Sequence, residues 1–283
     1  MSAREAPTPY WLGLLPALAL LVLFLVPFGI MLAVSVAGRE AGGFFTWGFD
    51  LASYARVFSP FVGRILVTSV AIALGAAILA VALALPFTVI LGGMSRRAQT
   101  VVLVVLLSAL SLSEVIIGFS VNTLLSQTAG VGNLLAWLGL LEAPRAFTPG
   151  LFALMTGLVY LSFPYAVLVL YPPVARLDPE LAQAARTMGA SPLRTFATVT
   201  VPLLRAPILG ATILVFVFVL GSYLLPQVLG RPQHWTLSVH ITDQAIYQSN
   251  LPFAAAMAVL LLAVALALVG LSLLVTRERR TGT

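Results

Sequence analysis

Long apolar runs separated by shorter polar segments dominate the pattern of this chain. A helix needs about 20 mostly apolar residues to cross a bilayer. Runs of that length cover residues 10–36, 64–91, 99–121, 149–171, 206–229 and 252–275. The first run is too long for the apolar part of a signal peptide, so we expect it to remain as a span. The pattern predicts an all-α polytopic membrane protein with six transmembrane helices, in which residues 1–283 form a single transmembrane domain.

The composition agrees with a membrane protein and excludes several soluble functions. Hydrophobic residues make up 60% of the chain and charged residues 8%, against about 45–50% and about 25% in soluble proteins. The 15 basic residues are all arginine, and a chain without lysine cannot form a Walker A phosphate loop. A chain without cysteine cannot use thiolate catalysis or thiolate-bound metals.

The distribution of arginine predicts the orientation in the membrane. With the amino terminus inside, ten arginines lie in the inner segments and five in the outer segments. The short segment 94–98 and the tail 277–280 show this bias most clearly. By the positive-inside rule, both termini are predicted to be cytoplasmic. The net charge of +6 therefore reflects orientation in the bilayer, and we expect no nucleic-acid partner.

The longest inner segment, the 172–205 loop between spans four and five, predicts two short helices joined by a turn. Asp178 is a good N-cap, and Glu180 suits the positive end of the helix that follows. Gly189 is placed to end this helix in the left-handed conformation. Ser191 starts a second helix by the same capping logic.

Three side chains in the first of these helices suit an interface. Ala184 and Ala185 are small enough to permit the close approach of a partner surface, and Arg186 offers a fork of hydrogen-bond donors. From these residues alone, two interpretations remain open. The loop docks a cytoplasmic partner, or it is an amphipathic helix pair that only packs on the bundle.

The loop resembles the EAA loop of binding-protein-dependent ABC importer permeases. The family pattern begins E-A-A-x-x-x-G and ends further on in an apolar-x-x-P sequence. In this chain the pattern falls on Gln183, Ala184, Ala185 and Gly189, with Pro202 close to the expected proline. Over its six spans the chain is similar to the type I (MetI-like) importer permeases. It is most similar to the spermidine/putrescine type.

The resemblance implies a permease subunit of an ATP-driven importer in the bacterial inner membrane. It implies that the loop is the coupling helix, which contacts the ATPase through Asp178, Glu180, Gln183, Ala184, Ala185, Arg186, Gly189 and Ser191. The subunit itself is then not an enzyme and binds no cofactor, because ATP and Mg²⁺ belong to the partner ATPase subunits. The other implied partners are a second homologous permease subunit, an extracytoplasmic substrate-binding protein and membrane lipid. A heterodimer of permease subunits is favoured over a homodimer.

Gln183 departs from the family pattern, which has glutamate at this position. The amide keeps the shape and the hydrogen-bonding capacity of glutamate but loses its charge. Glu180 lies three residues earlier on the same helical face and is a candidate to supply that charge.

Span three is the most polar of the six and contains Glu114, the acidic residue that we place within the hydrophobic zone. An ionisable residue there costs about 2.5–3.5 kcal/mol and by default marks a transport pathway. Helical spacing predicts that Ser111, Glu114 and Gly118 share one face. Two interpretations remain open. Glu114 lies on the path of a cationic substrate, or it is a glutamate hydrogen-bonded within the bundle or placed at the outer interface.

Other polar and aromatic residues inside the spans extend the candidate substrate pathway. The full set is Ser111, Glu114, Asn122, Tyr160, Tyr165 and Tyr223. The tyrosines could stack on an amine by cation–π contacts, or they could simply pack between helices. His234 and His240 do not have the spacing of a metal-binding pair. We therefore expect neither a metal site nor a catalytic set.

Two other classes of function compete with an importer subunit. An ion-coupled secondary transporter would use Glu114 as its ion site and would need no ATP. A membrane enzyme would need a convergent acid, base or metal set, which the sequence does not offer. The favoured substrate is a polyamine, and a phosphonate, an opine or another small amine remains open.

Overall fold

The computed structural model describes residues 11–40, 43–128 and 130–281 of the chain. Its α-helices are α1 Trp11–Ser35, α2 Ala52–Val57, α3 Pro60–Gly92, α4 Arg96–Leu110, α5 Glu114–Leu124, α6 Val131–Trp137, α7 Leu151–Ala175, α8 Pro179–Thr187, α9 Pro192–Thr195, α10 Val201–Leu203, α11 Arg205–Gly221, α12 Leu224–Leu229, α13 Leu237–Thr242 and α14 Leu251–Thr281. Two single π-helical turns, at Phe196–Thr200 and Asp243–Tyr247, interrupt this series.

The helix lengths confirm the predicted all-α membrane fold. Four helices are long and apolar enough to cross a membrane: α1, α3, α7 and α14. Two bent pairs raise the number to six if each pair is one span. The first pair is α4 with α5, and the second joins residues 192–203 to α11.

The larger compact unit, Pro60–His240 with the chain from Leu261 onwards, has its core where α3, α7 and α11 pack together. Its α3 face includes five alanines, each at most 1% exposed: Ala73, Ala76, Ala77, Ala80 and Ala84. Small residues let helix backbones approach closely in a membrane. Leu154 and Leu158 of α7 and Val215 of α11 are fully buried in the same cluster.

The smaller compact unit contains the described residues up to Ser59 together with Ile241–Leu260. The Ser35 and Tyr54 hydroxyls lie 2.9 Å apart and join the end of α1 to α2. The guanidinium of Arg56 lies 4.3 Å from the centre of the Phe253 ring, a cation–π contact. Most apolar side chains of α1 that the structure describes are exposed. Such a face suits a hydrocarbon surrounding rather than water.

The span predicted over 99–121 is present as a bent pair of helices and is not one continuous helix. Residues Ser111–Ser113 separate α4 from α5, and the two helices meet at an angle of 97°. The Ser113 hydroxyl accepts the N–H of Val115 at 3.2 Å and caps a new helix at this point, as serine commonly does. Because of this break, Ser111 does not share a helical face with Glu114 and Gly118.

The predicted span over 206–229 also contains a break, which separates α11 from α12 at Ser222 and Tyr223. Ser222 has an extended backbone, with ψ of 132°. Pro226 lacks the N–H that would bond the Ser222 carbonyl in a continuous helix. Beyond α12 the chain returns to the interior of the larger unit, where residues 236–239 are buried. The N–H of Leu237 donates to the Ser69 hydroxyl at 2.7 Å.

Candidate functional site

The 172–205 loop folds as the predicted helix–turn–helix. Asp178 Oδ1 accepts the N–H of Glu180 at 2.9 Å, and the Ser191 hydroxyl accepts the N–H of Arg194 at 3.3 Å. Gly189 has φ of +86°, a conformation that costs glycine little and other residues more. The capping residues named from the sequence therefore do begin and end these two helices.

The loop presents apolar side chains at its surface. Met188 is 82% exposed and Leu193 is 78% exposed, and Leu181 is also exposed. The predicted coupling residues that are exposed are Asp178, Glu180, Gln183, Ala184, Arg186, Gly189 and Ser191. Ala185 is 7% exposed, so its side chain packs inside this chain and is not presented to a partner. An exposed apolar patch of this kind suits contact with another protein.

Glu114 lies where the two helix breaks meet. It occupies the first turn of α5, and its Oε1 accepts a hydrogen bond of 2.7 Å from the Ser222 hydroxyl at the end of α11. Ser222 is 6% exposed, and its neighbour Tyr223 is 39% exposed. Ser111 is exposed at the other side of the first break. The Glu114 carboxylate, non-helical backbone and three hydroxyl-bearing side chains, Ser111, Ser222 and Tyr223, therefore lie at or next to the two breaks, within otherwise apolar segments.

The two short helices that follow the breaks pack against each other. A Cβ added to Gly118 of α5 would lie 3.4 Å from Leu225 Cδ2 of α12. Helix α12 also packs against α7, where a Cβ added to Gly157 would lie 2.5 Å from Leu229 Cδ1. Leu225 and Leu229 are fully buried. This packing fixes the direction of α5 and hence the position of the Glu114 carboxylate at its start.

The other candidate pathway residues make their contacts with residues outside this junction. Asn122 Oδ1 accepts the Thr148 hydroxyl at 2.8 Å, and the Tyr165 ring packs 4.6 Å from the Phe218 ring. Tyr160 lines a different feature, an apolar groove of about 610 Å³ between α3, α4 and α7. The six predicted residues therefore do not form one cluster, and Tyr223 is the tyrosine adjacent to the Glu114 junction.

A buried amide at the start of α4 was not predicted from the sequence. Gln99 is 7% exposed, and its Oε1 accepts the Tyr171 hydroxyl at 2.8 Å. Its Nε2 donates to the carbonyls of Gly92 at 3.1 Å and Met94 at 2.9 Å. The available signal was a glutamine just inside an apolar run and a tyrosine 72 residues later at the end of another run.

His234 lies outside the long helices and keeps a turn in place. The backbone N–H of Arg231 donates to His234 Nδ1 at 3.3 Å, and the Nε of Arg231 donates to the Pro149 carbonyl at 3.0 Å. Burial lowers the pKa of His234, and the positive charge of Arg231 lowers it further. The neutral imidazole can accept this bond. Within the described ranges, no three His, Asp or Glu side chains are grouped as a metal site would require.

Comparison with known proteins gives relatives over almost the whole chain. No family model matches it. It is 30% identical over 258 residues to the spermidine/putrescine transport system permease protein PotB of Escherichia coli K12, which covers 90% of this chain and 92% of PotB. The crystal structure of a bacterial ABC transporter that imports the acidic polysaccharide alginate has a TM-score of 0.76 at 18% identity, over 95% of this chain and 96% of that chain. The structure of the alginate transporter in complex with its alginate-bound periplasmic protein has a TM-score of 0.72 at 18% identity, over 97% of this chain and 96% of that chain.

Fold and sequence together define a multi-pass permease subunit of an ABC importer. The chain belongs to the ABC importer permease family that includes PotB. The resemblance that was carried by the 172–205 loop is thereby confirmed for the chain as a whole. The alginate transporters share the fold with this chain, and their low identity carries nothing further about its substrate.

Proposed function

We propose that this subunit imports a polyamine or a related small amine across the bacterial inner membrane. The observation that carries the proposal is the Glu114 carboxylate at the junction of two helix breaks, hydrogen-bonded to Ser222. The chain's identity to a spermidine/putrescine permease supports the same substrate class. A carboxylate attracts an ammonium group about 4 Å away by about 4 kcal/mol where the effective dielectric constant is about 20. It would repel an acidic substrate by the same physics.

The substrate path that we propose passes Glu114, Ser111 and Tyr223, which lie at or next to the two breaks. Tyr223 is exposed enough for its ring to face an ammonium group. Tyr160 would extend the path along the groove that it lines. Asn122 and Tyr165 would support the walls, because their polar or ring contacts are already made to Thr148 and Phe218.

The driving force would come from ATP hydrolysis in partner subunits that dock on the 172–205 loop. In this proposal both termini and the loop face the cytoplasm, as the arginine distribution favours. Exposed Met188 and Leu193 would enter an apolar cleft of the ATPase. The cleft must hold the loop differently in its two nucleotide states, because equal binding to both would shift no equilibrium. ATP and Mg²⁺ would be bound by those partners.

The remaining partners complete an importer around this chain. A second homologous permease subunit would pair with this one as a heterodimer, and the two subunits together would enclose the pathway. An external binding protein would deliver the substrate. A periplasmic protein is present in one of the related alginate transporter structures, which supports such a delivery step. Lipid would surround the apolar outer faces.

The decisive experiment is uptake by proteoliposomes that contain the whole co-purified complex. Labelled spermidine should enter only when ATP is present on the cytoplasmic side of the membrane. Glu114→Gln should reduce uptake at least tenfold. Glu142→Gln is the matched control, because Glu142 is exposed and lies outside the long helices. Uptake driven by a proton gradient without ATP would instead support the ion-coupled alternative. Equal uptake by the Glu114→Gln complex would remove the argument for a cationic substrate.

A further inference from the structure

The side-chain amide of Gln99 joins three helices at one end of the larger unit. Its Nε2 donates to Gly92, the last residue of α3, and to Met94 in the following turn. Its Oε1 accepts the hydroxyl of Tyr171, four residues before α7 ends at Ala175. Gln99 itself lies in the first turn of α4. Both donors and the acceptor of the amide are therefore used in a buried position.

Helices α3 and α7 form a fixed pair beside this amide. A Cβ added to Gly92 would lie 3.3 Å from Val174 Cγ1, so the two helix ends are in close contact. Gln99 connects the start of α4 to this pair by hydrogen bonds to both members. A displacement of the end of α7 would therefore act directly on the start of α4 through these hydrogen bonds.

Each of the joined helices leads to a part of the proposed mechanism. Helix α7 continues into the 172–205 loop, where the ATPase would dock. Helix α4 has 15 residues and a length of about 22 Å, and it ends at Leu110, directly before the break that precedes Glu114. A helix of this length is stiff compared with the loops around it, so a displacement at Gln99 would reach the break.

A crevice under the loop leaves room for such a displacement. It has a volume of about 210 Å³ and lies between the ends of α3 and α7 and the loop itself. Gly92 and Val174 line it from the helices, and Leu181 and Leu203 line it from the loop side. Leu177, Phe196 and Val201 of the loop pack on the core, so the crevice is the part of this boundary that is left unfilled.

We propose that Gln99 is a positioning residue, which passes movement of the 172–205 loop through Tyr171 and α4 to the helix break before Glu114. The inference rests on the proposed function, because it needs an ATPase that moves the loop. It predicts that weakening the Gln99–Tyr171 bond leaves ATP hydrolysis running while the response at the break is lost. A purely structural role would lower stability, hydrolysis and uptake together.

Tyr171→Phe is the gentlest probe, since it keeps the ring and removes the one hydroxyl. Loss of one hydrogen bond is expected to change a two-state equilibrium by about fivefold. The matched control is Tyr54→Phe, which removes the tyrosine hydroxyl that bonds Ser35 in the smaller unit. Gln99→Leu is a second, stronger variant, and melting temperatures show whether each variant is folded.

The readout is labelling at the break in the whole complex, with and without ATP. The chain has no cysteine, so Leu112→Cys at the break, where Leu112 is 40% exposed, gives this subunit a single thiol for a water-soluble thiol reagent. We expect ATP to change the labelling rate in the otherwise unchanged complex and in Tyr54→Phe. In Tyr171→Phe this response should fall about fivefold, with the hydrolysis rate within twofold and more ATP used per solute imported.

Three results would overturn the proposed role of Gln99. They are an unchanged ATP response in Tyr171→Phe, no ATP response in any of the complexes, and a parallel fall in hydrolysis rate and melting temperature in Tyr171→Phe. Labelling needs no substrate, so it separates this inference from the proposed substrate. A complex that responds to ATP but imports no amine would contradict the proposed substrate. The labelling result alone would then decide whether Gln99 couples the loop to the break.

Discussion

The hydroxyl of Ser222 donates a 2.7 Å hydrogen bond to the carboxylate of Glu114, a residue 108 positions earlier in the chain. Each partner lies at a point where an apolar segment ceases to be one continuous helix. The bond therefore joins two breaks and stabilises a charge-bearing group in a region that otherwise disfavours it. It also gives the Glu114 carboxylate a defined orientation.

Replacing Ser222 by alanine should weaken substrate binding because the carboxylate loses the donor that orients it. Hydrogen bonds to charged groups contribute about 1.5–3 kcal/mol, so we expect the KM for spermidine uptake to rise about tenfold. Ser222→Thr keeps a hydroxyl at this position and should retain most of the uptake. An unchanged or lower KM in Ser222→Ala would show that the bond does not serve substrate binding.

Adding one methyl group at Gly157 should destabilise the packing of α12. The new Cβ would lie 2.5 Å from Leu229 Cδ1, so the fully buried Leu229 side chain would have to shift. Overpacking of this kind costs about 1–3 kcal/mol, which should lower the melting temperature in detergent. Gly118→Ala is the control, because its Cβ would meet Leu225 at an ordinary 3.4 Å. Equal melting temperatures for the two variants would contradict the prediction.

The sequence predicted the fold class and the 172–205 loop because both depend on local patterns. Apolar runs of sufficient length are recognisable in one segment at a time. Asp178, Gly189 and Ser191 act through their own neighbouring backbone groups, so capping rules alone placed the ends of α8 and the start of α9.

The helix breaks and their junction could not be predicted in the same way. The hydrophobic pattern continues through Ser111–Ser113 and through Ser222, and hydropathy does not distinguish a bent span from a straight one. The Glu114–Ser222 and Gln99–Tyr171 bonds connect residues far apart in the sequence. Which polar residues meet is decided by how α3, α7 and α11 pack, and no local rule contains that information.

The exposed apolar residues of the 172–205 loop should contribute to ATPase binding without contributing to folding. Burying one leucine side chain is worth about 1.5–3 kcal/mol, so Leu193→Ser should reduce the amount of co-purified ATPase about tenfold or more. Its melting temperature should not change, because Leu193 is 78% exposed. Leu140→Ser is the matched control, since Leu140 is 69% exposed and outside the loop. Equal recovery of the ATPase with both variants would exclude Leu193 from the interface.

Glu180 and Gln183 test whether a single carboxylate on α8 is enough for coupling. Both side chains are exposed, and residues three apart lie on the same face of a helix. If Glu180 supplies the charge that the family pattern places at the position of Gln183, Glu180→Ala should lower ATP-driven uptake. The double variant Glu180→Ala with Gln183→Glu should then recover it, because the charge returns one turn later. Glu142→Ala, which removes an exposed acid elsewhere, should leave uptake unchanged. Failure of the double variant to recover uptake, at equal expression, would show that the charge cannot move between the two positions.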